Sequence, residues 1–362
     1  MDIHAIDHVE FYVEDAQRSA LYLSAAFGFR CYGKGGPLTG LPDQRSVLLG
    51  QGGIRLLLTS GLTAGHPATR FVRQHGDGVA CVALRTDDAA AAVAEAAERG
   101  ARVVAPPRVW RSADAEVVTG TVSGPGDLTH RFVERRSPSA EFAAVDFLPG
   151  AIEAFEQDGA AGEQLLEVVD HVALCVDSAE LASTVREYEE VLGFREIFRE
   201  RVEVGDQAMD SHVVQSASRA MTVTIVAPDP QTRDGQLNDF LRAYAGCGVQ
   251  HLALSTSDIA TAVDVFTERG VGFLRAPDGY YDSVASRLGA LRLPVETLMA
   301  ANILVDRDHW GDLFQIFAEP AVPRRTFFFE LIERHGALTF GSNNIKALYE
   351  AKERARAVQA RS

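Results

Sequence analysis

Short runs of aliphatic, β-branched and aromatic residues punctuate the chain, and between them lie stretches whose apolar positions recur every three to four residues. Asp7-His8-Val-Glu-Phe-Tyr-Val13 and Asp170-His171-Val-Ala-Leu-Cys-Val176 read as strands, each led by an Asp-His pair. A helical stretch follows each. The second spans about 178–191, with Leu181, Val185, Tyr188 and Leu192 at helical spacing. Both stop at a glycine, Gly28 and Gly193, suited to the left-handed backbone that ends many helices. Further strands follow: Ser46-Val-Leu-Leu49 and Ile54-Arg-Leu-Leu-Leu58 in one half, Val213-Val-Gln215 and Thr222-Val-Thr-Ile-Val226 in the other.

The two halves repeat. Gly76-Asp-Gly-Val-Ala-Cys81-Val-Ala-Leu-Arg-Thr86 and Gly246-Cys-Gly-Val-Gln-His251-Leu-Ala-Leu-Ser-Thr256 share a pattern at an offset of 170 residues. The register persists, with Glu98-Arg99-Gly100 on Glu268-Arg269-Gly270 and Pro107 on Pro277. Helices are expected over about 88–98 and 258–268. Each unit is then strand–helix–strand–strand–strand. A βαβββ module of ~50–60 residues cannot cover its own sheet face, so paired modules curl around a shared pocket. The fold expected is α+β: tandem βαβββ modules in two pseudo-repeat domains, each a half-open β-barrel. Residues 1–140 form the first domain and 166–362 the second, with 141–165 as a small-residue, acidic linker. The second half carries extra chain between Tyr281 and His309. Residues Asn344–Val358 read as an amphipathic C-terminal lid helix with Ile345, Leu348 and Tyr349 on one face.

Composition narrows the class. A chain of 362 residues with 46% hydrophobic and 23% charged residues is an ordinary globular protein of two to three domains. Its net charge of −15, with Lys and Arg dispersed, argues against a nucleic-acid surface and against binding to anionic membranes. No run approaches the ~18 apolar residues that span a bilayer. Cys31, Cys81, Cys175 and Cys247 form no C-x-x-C pair, and no secretory signal opens the chain, so a cytoplasmic protein is expected.

Three residues of the second half carry candidate chemistry. His171 and His251 occupy equivalent strand positions in successive modules. Glu330 interrupts the apolar run Thr326-Phe-Phe-Phe-Glu330-Leu-Ile. A carboxylate there is costly unless it is paired, hydrogen-bonded or bound to a metal, and Arg324 and Arg334 are the ion-pair alternatives. Two imidazoles and one carboxylate leave three open positions on an octahedral ion, the arrangement of non-haem Fe(II) enzymes. The first half places His8, Cys81 and Glu134 at what read as the matching positions. That is a retained fold with a degenerate pocket, the alternative being a second metal held through the cysteine.

These residues resemble a known family. Gly248-Val-Gln-His-Leu-Ala-Leu254, Tyr280-Tyr281, Leu313-Phe-Gln-Ile-Phe317, Phe328-Phe-Glu-Leu-Ile-Glu-Arg334 and Phe340-Gly-Ser-Asn-Asn-Ile345 are similar to segments of the 4-hydroxyphenylpyruvate dioxygenase and 4-hydroxymandelate synthase family, within the vicinal oxygen chelate superfamily. The resemblance implies Fe(II) held by His171, His251 and Glu330, with 4-hydroxyphenylpyruvate and O₂ as substrates. The 2-oxo acid chelates the iron, O₂ takes the remaining position, and decarboxylation delivers oxygen beside the aryl group. Ring attack yields homogentisate and benzylic attack yields 4-hydroxymandelate, so the protein's task is to aim the ring.

The family's dioxygenases typically carry Phe where this chain has Ile345, and Pro and Asn where it reads Thr224-Ile-Val226-Ala-Pro228. The synthases resemble it in an aliphatic lid residue, in Tyr349 and in the run Val213-Val-Gln-Ser-Ala-Ser218. The resemblance therefore implies 4-hydroxymandelate as product, directed by Ile345, Val226 and Tyr349, and a role in antibiotic biosynthesis. It also implies substrate contacts from Ser211, Thr224, Gln250, Gln315, Phe317, Phe340 and Ile345. The plainer readings are that Gln315 ties two strands, that both Phe residues are core, and that Ile345 and Tyr349 dock the helix. Relatives commonly form homodimers. An extradiol ring-cleaving dioxygenase shares the His-His-Glu set, but the motif Gly341-Ser-Asn-Asn-Ile345 argues against it. A non-catalytic small-molecule-binding protein of the same fold is the other reading.

Overall fold

A computed structural model describes residues 1–112, 115–136, 147–155, 163–277 and 279–359, the stretch 351–359 by its backbone alone. The strands of the first half are β1 (Ala5–Tyr12), β2 (Arg30–Gly35), β3 (Gln44–Gln51), β4 (Ile54–Gly61), β5 (Gly78–Arg85), β6 (Val103–Arg111), β7 (Glu116–Ser123), β8 (Thr129–Arg136) and β9 (Glu153–Ala154). Those of the second are β10 (Val169–Cys175), β11 (Arg195–Val204), β12 (Gln207–Gln215), β13 (Thr222–Pro228), β14 (Gly248–Ser255), β15 (Leu304–Arg307), β16 (Asp312–Phe317) and β17 (Phe328–His335). The helices are α1 (Ala16–Phe27), α2 (Pro67–His75), α3 (Ala89–Glu98), α4 (Leu181–Glu190), α5 (Gln236–Tyr244), α6 (Ile259–Glu268), α7 (Val284–Leu288), α8 (Val295–Ala300) and α9 (Ser342–Gln359). None of the described helices is long and apolar enough to cross a membrane.

Each half is one curled sheet built from two βαβββ modules. The orders are β6-β7-β8-β5-β1-β4-β3-β2-β9 and β11-β12-β13-β10-β14-β17-β16-β15. In every module the first strand lies parallel to the last, β1 to β4, β5 to β8, β10 to β13 and β14 to β17. Such pairing needs a crossover, which α1, α3, α4 and α6 supply. The modules join through antiparallel pairs, β1 with β5 and β10 with β14. Local signals set the crossovers: Asp15, Asp88 and Asp258 cap α1, α3 and α6, and Gly28 ends α1 at φ 74°. α4 begins at Leu181, three residues past the expected start, because residues 178–180 form a turn in which the Asp177 carboxylate accepts from the Ala179 N–H.

The repeat register ends before the prolines. Pro107 lies within β6, whereas Pro277 lies in a loop. The edge strand equivalent to β6 is β15, displaced by the inserted chain that carries α7 and α8. Within the stretch read as linker, Phe147, Leu148, Ala151 and Ile152 are buried with Leu48 and Leu57, and β9 pairs with β2.

Strand alternation then divides the side chains. One face of each sheet enters a core shared by the halves, where Phe11 meets Phe327 at 5.0 Å and Phe27 meets Phe329 at 5.2 Å. Each such buried ring contributes about 1.5–3 kcal/mol relative to exposure. The other face lines the inside of the curl. Thus Phe327, just before β17, and Phe329 and Leu331 within it join the shared core, while Phe328, Glu330 and Ile332 turn inward. The helix α9 contacts β11 and β15, the two edge strands of the second sheet, and so closes its open side.

Candidate metal centre

Three adjacent central strands present the candidate ligands. Across β10 and β14, His171 faces Ala253 and Ala173 faces His251. Across β14 and β17, Ala253 faces Glu330. The ligands therefore step diagonally over the sheet, and two alanines leave room between them. One ligand atom from each residue lies within 4.8 Å of the others. Glu330 Oε2 is 3.6 Å from His171 Nε2 and 3.3 Å from His251 Nε2. Glu330 is buried, and among the described residues no Lys or Arg side chain pairs with it. Arg324 donates to the carbonyls of Arg73 and Gln74, and Arg334 to Asp170.

The surroundings fix the orientation of this set. Asp170 Oδ1 lies 2.9 Å from His171 Nδ1, and Arg334 grips Asp170 through two bonds of 2.7 and 2.9 Å. A carboxylate behind an imidazole sets its tautomer and turns Nε2 toward a metal. Burial pushes the Asp170 carboxyl up, but the bonds from His171 and Arg334 outweigh it and hold it well below the usual carboxylate range. Burial likewise raises Glu330, yet the hydrogen bond from His251 and the charges of both imidazoles leave it below its ordinary value. His251 stacks on Phe328 at 4.8 Å, and Phe340 meets the edge of His171 at 5.2 Å. Gln315 Nε2 donates to Glu330 Oε1 at 2.7 Å. Two imidazole nitrogens and one carboxylate oxygen, converging in a buried place, fit a divalent transition metal.

The cluster opens into a cleft of about 550 Å³, part of it open to solvent. Ser211, Thr224, Val226, Gln250, Gln315, Phe317, Phe340, Ile345 and Tyr349 all line it with the three ligands. Met209, Gln236, Leu237 and Leu348 also line it and were not anticipated. Met209 shares a strand face with Ser211, and Leu348 follows Ile345 by three residues on α9, so periodicity contains a signal for both. Gln236 and Leu237 begin α5, and nothing local marks them. Of the run Val213–Ser218, no residue lines this cavity. Ser216 and Ser218 instead bond to each other in the turn after β12, where Ser218 also donates to the Ile3 carbonyl.

The first half corrects one expectation. His8 faces Ala83 and Glu10 faces Cys81, so His8 and Cys81 do sit where the second half has His171 and His251. Ala83 faces Arg131, however, as Ala253 faces Glu330. The counterpart of Glu330 is Arg131, not Glu134. Glu134 corresponds to Glu333: each accepts from the first N–H of its own module's helix, Ala89 of α3 at 3.2 Å and Ile259 of α6 at 2.7 Å. Arg131 donates to Glu10 Oε2 at 2.8 Å and lies 3.2 Å from His8 Nε2. Its guanidinium occupies the centre of the first barrel. Asp7 and Arg135 stand behind His8 as Asp170 and Arg334 stand behind His171.

Comparison with known proteins agrees with this architecture. The family model for the Glyoxalase/Bleomycin resistance protein/Dioxygenase superfamily matches residues 5–120 and 168–316. The 4-hydroxyphenylpyruvate dioxygenase of Yarrowia lipolytica is 31% identical, covering 97% of this chain and 92% of its own. That of Aspergillus fumigatus is 32% identical, covering 98% and 93%. The solved structure of a triple mutant of 4-hydroxymandelate synthase from Streptomyces coelicolor is 37% identical, with a TM-score of 0.87 and coverage of 98% of this chain and 100% of that one. Paired βαβββ barrels and near-complete alignment to both kinds of relative lead to one assignment: the chain is an enzyme of dioxygenase type and belongs to the 4-hydroxyphenylpyruvate dioxygenase and 4-hydroxymandelate synthase family of the vicinal oxygen chelate superfamily.

Proposed function

We propose that this enzyme is an Fe(II)-dependent 4-hydroxymandelate synthase, converting 4-hydroxyphenylpyruvate and O₂ into 4-hydroxymandelate and CO₂. One oxygen atom enters the new carboxylate and the other the benzylic hydroxyl. The observation that carries the reading is the cavity wall made by Ile345, Val226 and Tyr349 beside the His-His-Glu cluster. The 37% identity to a synthase structure, beside 29–33% to dioxygenase relatives, supports it.

His171 Nε2, His251 Nε2 and Glu330 Oε2 would hold the iron, which when bound supplies the Lewis acid for the 2-oxo acid and the electrons for O₂. The remaining work belongs to the cavity. Phe317 and Phe340 flank the aromatic ring, while Ser211, Thr224 and Gln250 offer polar contacts. The predominantly apolar lining and α9 keep water from the reacting centre. A branched Ile345 fills space differently from a flat phenyl ring. The substrate ring therefore tilts, and its benzylic carbon faces the reacting oxygen.

The rival outcome is homogentisate, favoured by the dioxygenase relatives. The two products are isomers, so mass alone does not separate them. The test is anaerobic loading with Fe(II), addition of 4-hydroxyphenylpyruvate and O₂, and proton NMR of the product. A para-disubstituted ring with a benzylic CH–OH is expected. A trisubstituted ring as the main product refutes the proposal.

A further inference from the structure

We propose that Asn344 and Tyr280 are positioning residues for the metal carboxylate, acting through Gln315, and that they make the first turn of the lid helix part of the ligand site. The inference rests on the metal-centre reading above.

Four side chains form a continuous relay. Gln315 Nε2 donates to Glu330 Oε1 at 2.7 Å. Gln315 Oε1 accepts from Asn344 Nδ2 at 2.8 Å. Asn344 Oδ1 accepts from the Tyr280 hydroxyl at 2.8 Å and shares its single proton with the Val305 carbonyl at 2.9 Å, while the hydroxyl accepts from the Val305 N–H at 2.9 Å. The chain runs from β17 through β16 and α9 to the inserted segment and β15. Glu330, Gln315 and Asn344 are all buried, Asn344 completely. In such surroundings each unmade bond is expensive and each made one is strong.

The polarity of the relay has one sense. A carboxylate accepts only, so the Gln315 amide must turn its NH₂ to Glu330 and its oxygen to α9. Asn344 supplies the matching donor. Without it, the buried Gln315 oxygen loses its donor. Close approach is built in as well. Gly341 has φ 70°, and a Cβ there would stand 2.6 Å from Gln315 Oε1 and 3.2 Å from Asn344 Nδ2. Asn343 adds a second anchor, its N–H and its Nδ2 both donating to Asp306.

The consequence lies at Glu330. With Oε1 taken by Gln315, only Oε2 faces the two imidazoles, so the carboxylate offers the cation a single oxygen. Fewer protein donors leave more positions for a two-pronged 2-oxo acid and O₂. Asn344 also directly precedes Ile345. The turn that holds the ligand carboxylate therefore holds the product-directing side chain in register with it.

The experiment titrates metal-free protein with Co(II) without oxygen, reading affinity by calorimetry and ligand geometry by the visible bands. Partners behind metal ligands are worth about 10- to 100-fold in affinity. Asn344→Ala should weaken Co(II) binding about tenfold or more and shift the bands, and Tyr280→Phe should move both in the same direction. Tyr281→Phe should change neither, because its hydroxyl bonds the Ile303 carbonyl outside the relay. Wild-type affinity and bands in Asn344→Ala overturn the relay; if that variant does not fold, Tyr280→Phe decides by the same criterion. His251→Ala separates the two readings. If it loses Co(II) while the relay variants do not, the centre stands and the relay falls. If it binds as wild type does, or wild type binds no Co(II), both fall.

Discussion

The duplicated scaffold allows a substitution to be tested against its own internal counterpart. Asp170→Asn and Asp7→Asn remove the same negative charge from the same Asp-His-Arg arrangement, once behind the candidate ligand His171 and once behind His8. The Asp7 side chain is 0% exposed and Arg135 9%, so Asp7→Asn removes the charge that neutralises a buried guanidinium and costs about 3–5 kcal/mol of stability. Asp170 and Arg334 are 15% and 21% exposed, and the better-solvated pair loses less, about 1.5–3 kcal/mol. Metal affinity separates the two differently. Asp170→Asn should weaken Co(II) or Fe(II) binding 10- to 100-fold, about 1.4–2.8 kcal/mol, and Asp7→Asn should leave it unchanged. Urea midpoints of the metal-free proteins and metal titrations of the folded ones provide both readouts. The folded Asp7 carboxyl is lowered despite burial, which raises it, because the Arg135 and His8 contacts prevail. The stability lost in Asp7→Asn is therefore fully visible above about pH 4, the unfolded value, and fades as the pH falls toward the folded one. Equal weakening of metal binding by both substitutions, or none by Asp170→Asn, would refute the claim that Asp170 serves the metal ligand.

Ile345→Phe should move the product ratio toward homogentisate at least tenfold, since changes of apolar shape in a pocket discriminate by about 1–3 kcal/mol; NMR of the product mixture measures it, and an unchanged ratio removes Ile345 from the aiming role. Burial pushes His130 down to about 4, against a hydrogen bond from the ring to the Val82 backbone carbonyl, and its Nε2 meets the Tyr188 hydroxyl of the other half at 3.2 Å. The unfolded chain then binds the extra proton between about pH 4 and 6.5, so stability drops by about 1.4 kcal/mol per unit as pH falls through that window. His130→Phe, which installs the residue type of its counterpart Phe329, should flatten the urea-midpoint profile there, and identical slopes would refute the assignment.

The parts legible in the sequence were those written locally or by conflict. Asp15, Asp88 and Asp258 announce helix starts, and β-branched runs announce strands. His171, His251 and Glu330 stand out because ionisable groups interrupt apolar strands, and such conflicts collect at functional sites. What stayed hidden depends on pairing. The counterpart of Glu330 was misread as Glu134 because the β7–β8 and β16–β17 regions are separated from β5 and β14 by different lengths of chain. Only the cross-strand partners Ala83 and Ala253 restore the register. Arg131 itself looks like a surface residue until Glu10, on a strand more than a hundred residues away, is found against it. Gln236 and Leu237 reach the cavity from α5, whose place is set by packing across the sheet and by no nearby motif.

That pairing gives the two barrels different centres, a candidate metal cluster in one and a guanidinium in the other. In the first barrel Glu10 accepts from the Thr59 hydroxyl on Oε1 at 2.8 Å and from Arg131 on Oε2. In the second, Glu330 accepts from Gln315 on Oε1 and turns Oε2 toward two imidazoles. Each buried carboxylate thus has one oxygen on a neutral donor and the other aimed at the barrel centre. A buried charge without a partner is strongly destabilising, so each centre needs a cation. The first half carries its cation on its own backbone as Arg131, fixed and closed to exchange. The second has a carboxylate at that strand position and an alanine, Ala173, where Glu10 would stand. On the proposed function its cation is a metal ion taken from solution, and an ion that arrives with vacant positions can bind substrate and oxygen where a guanidinium cannot.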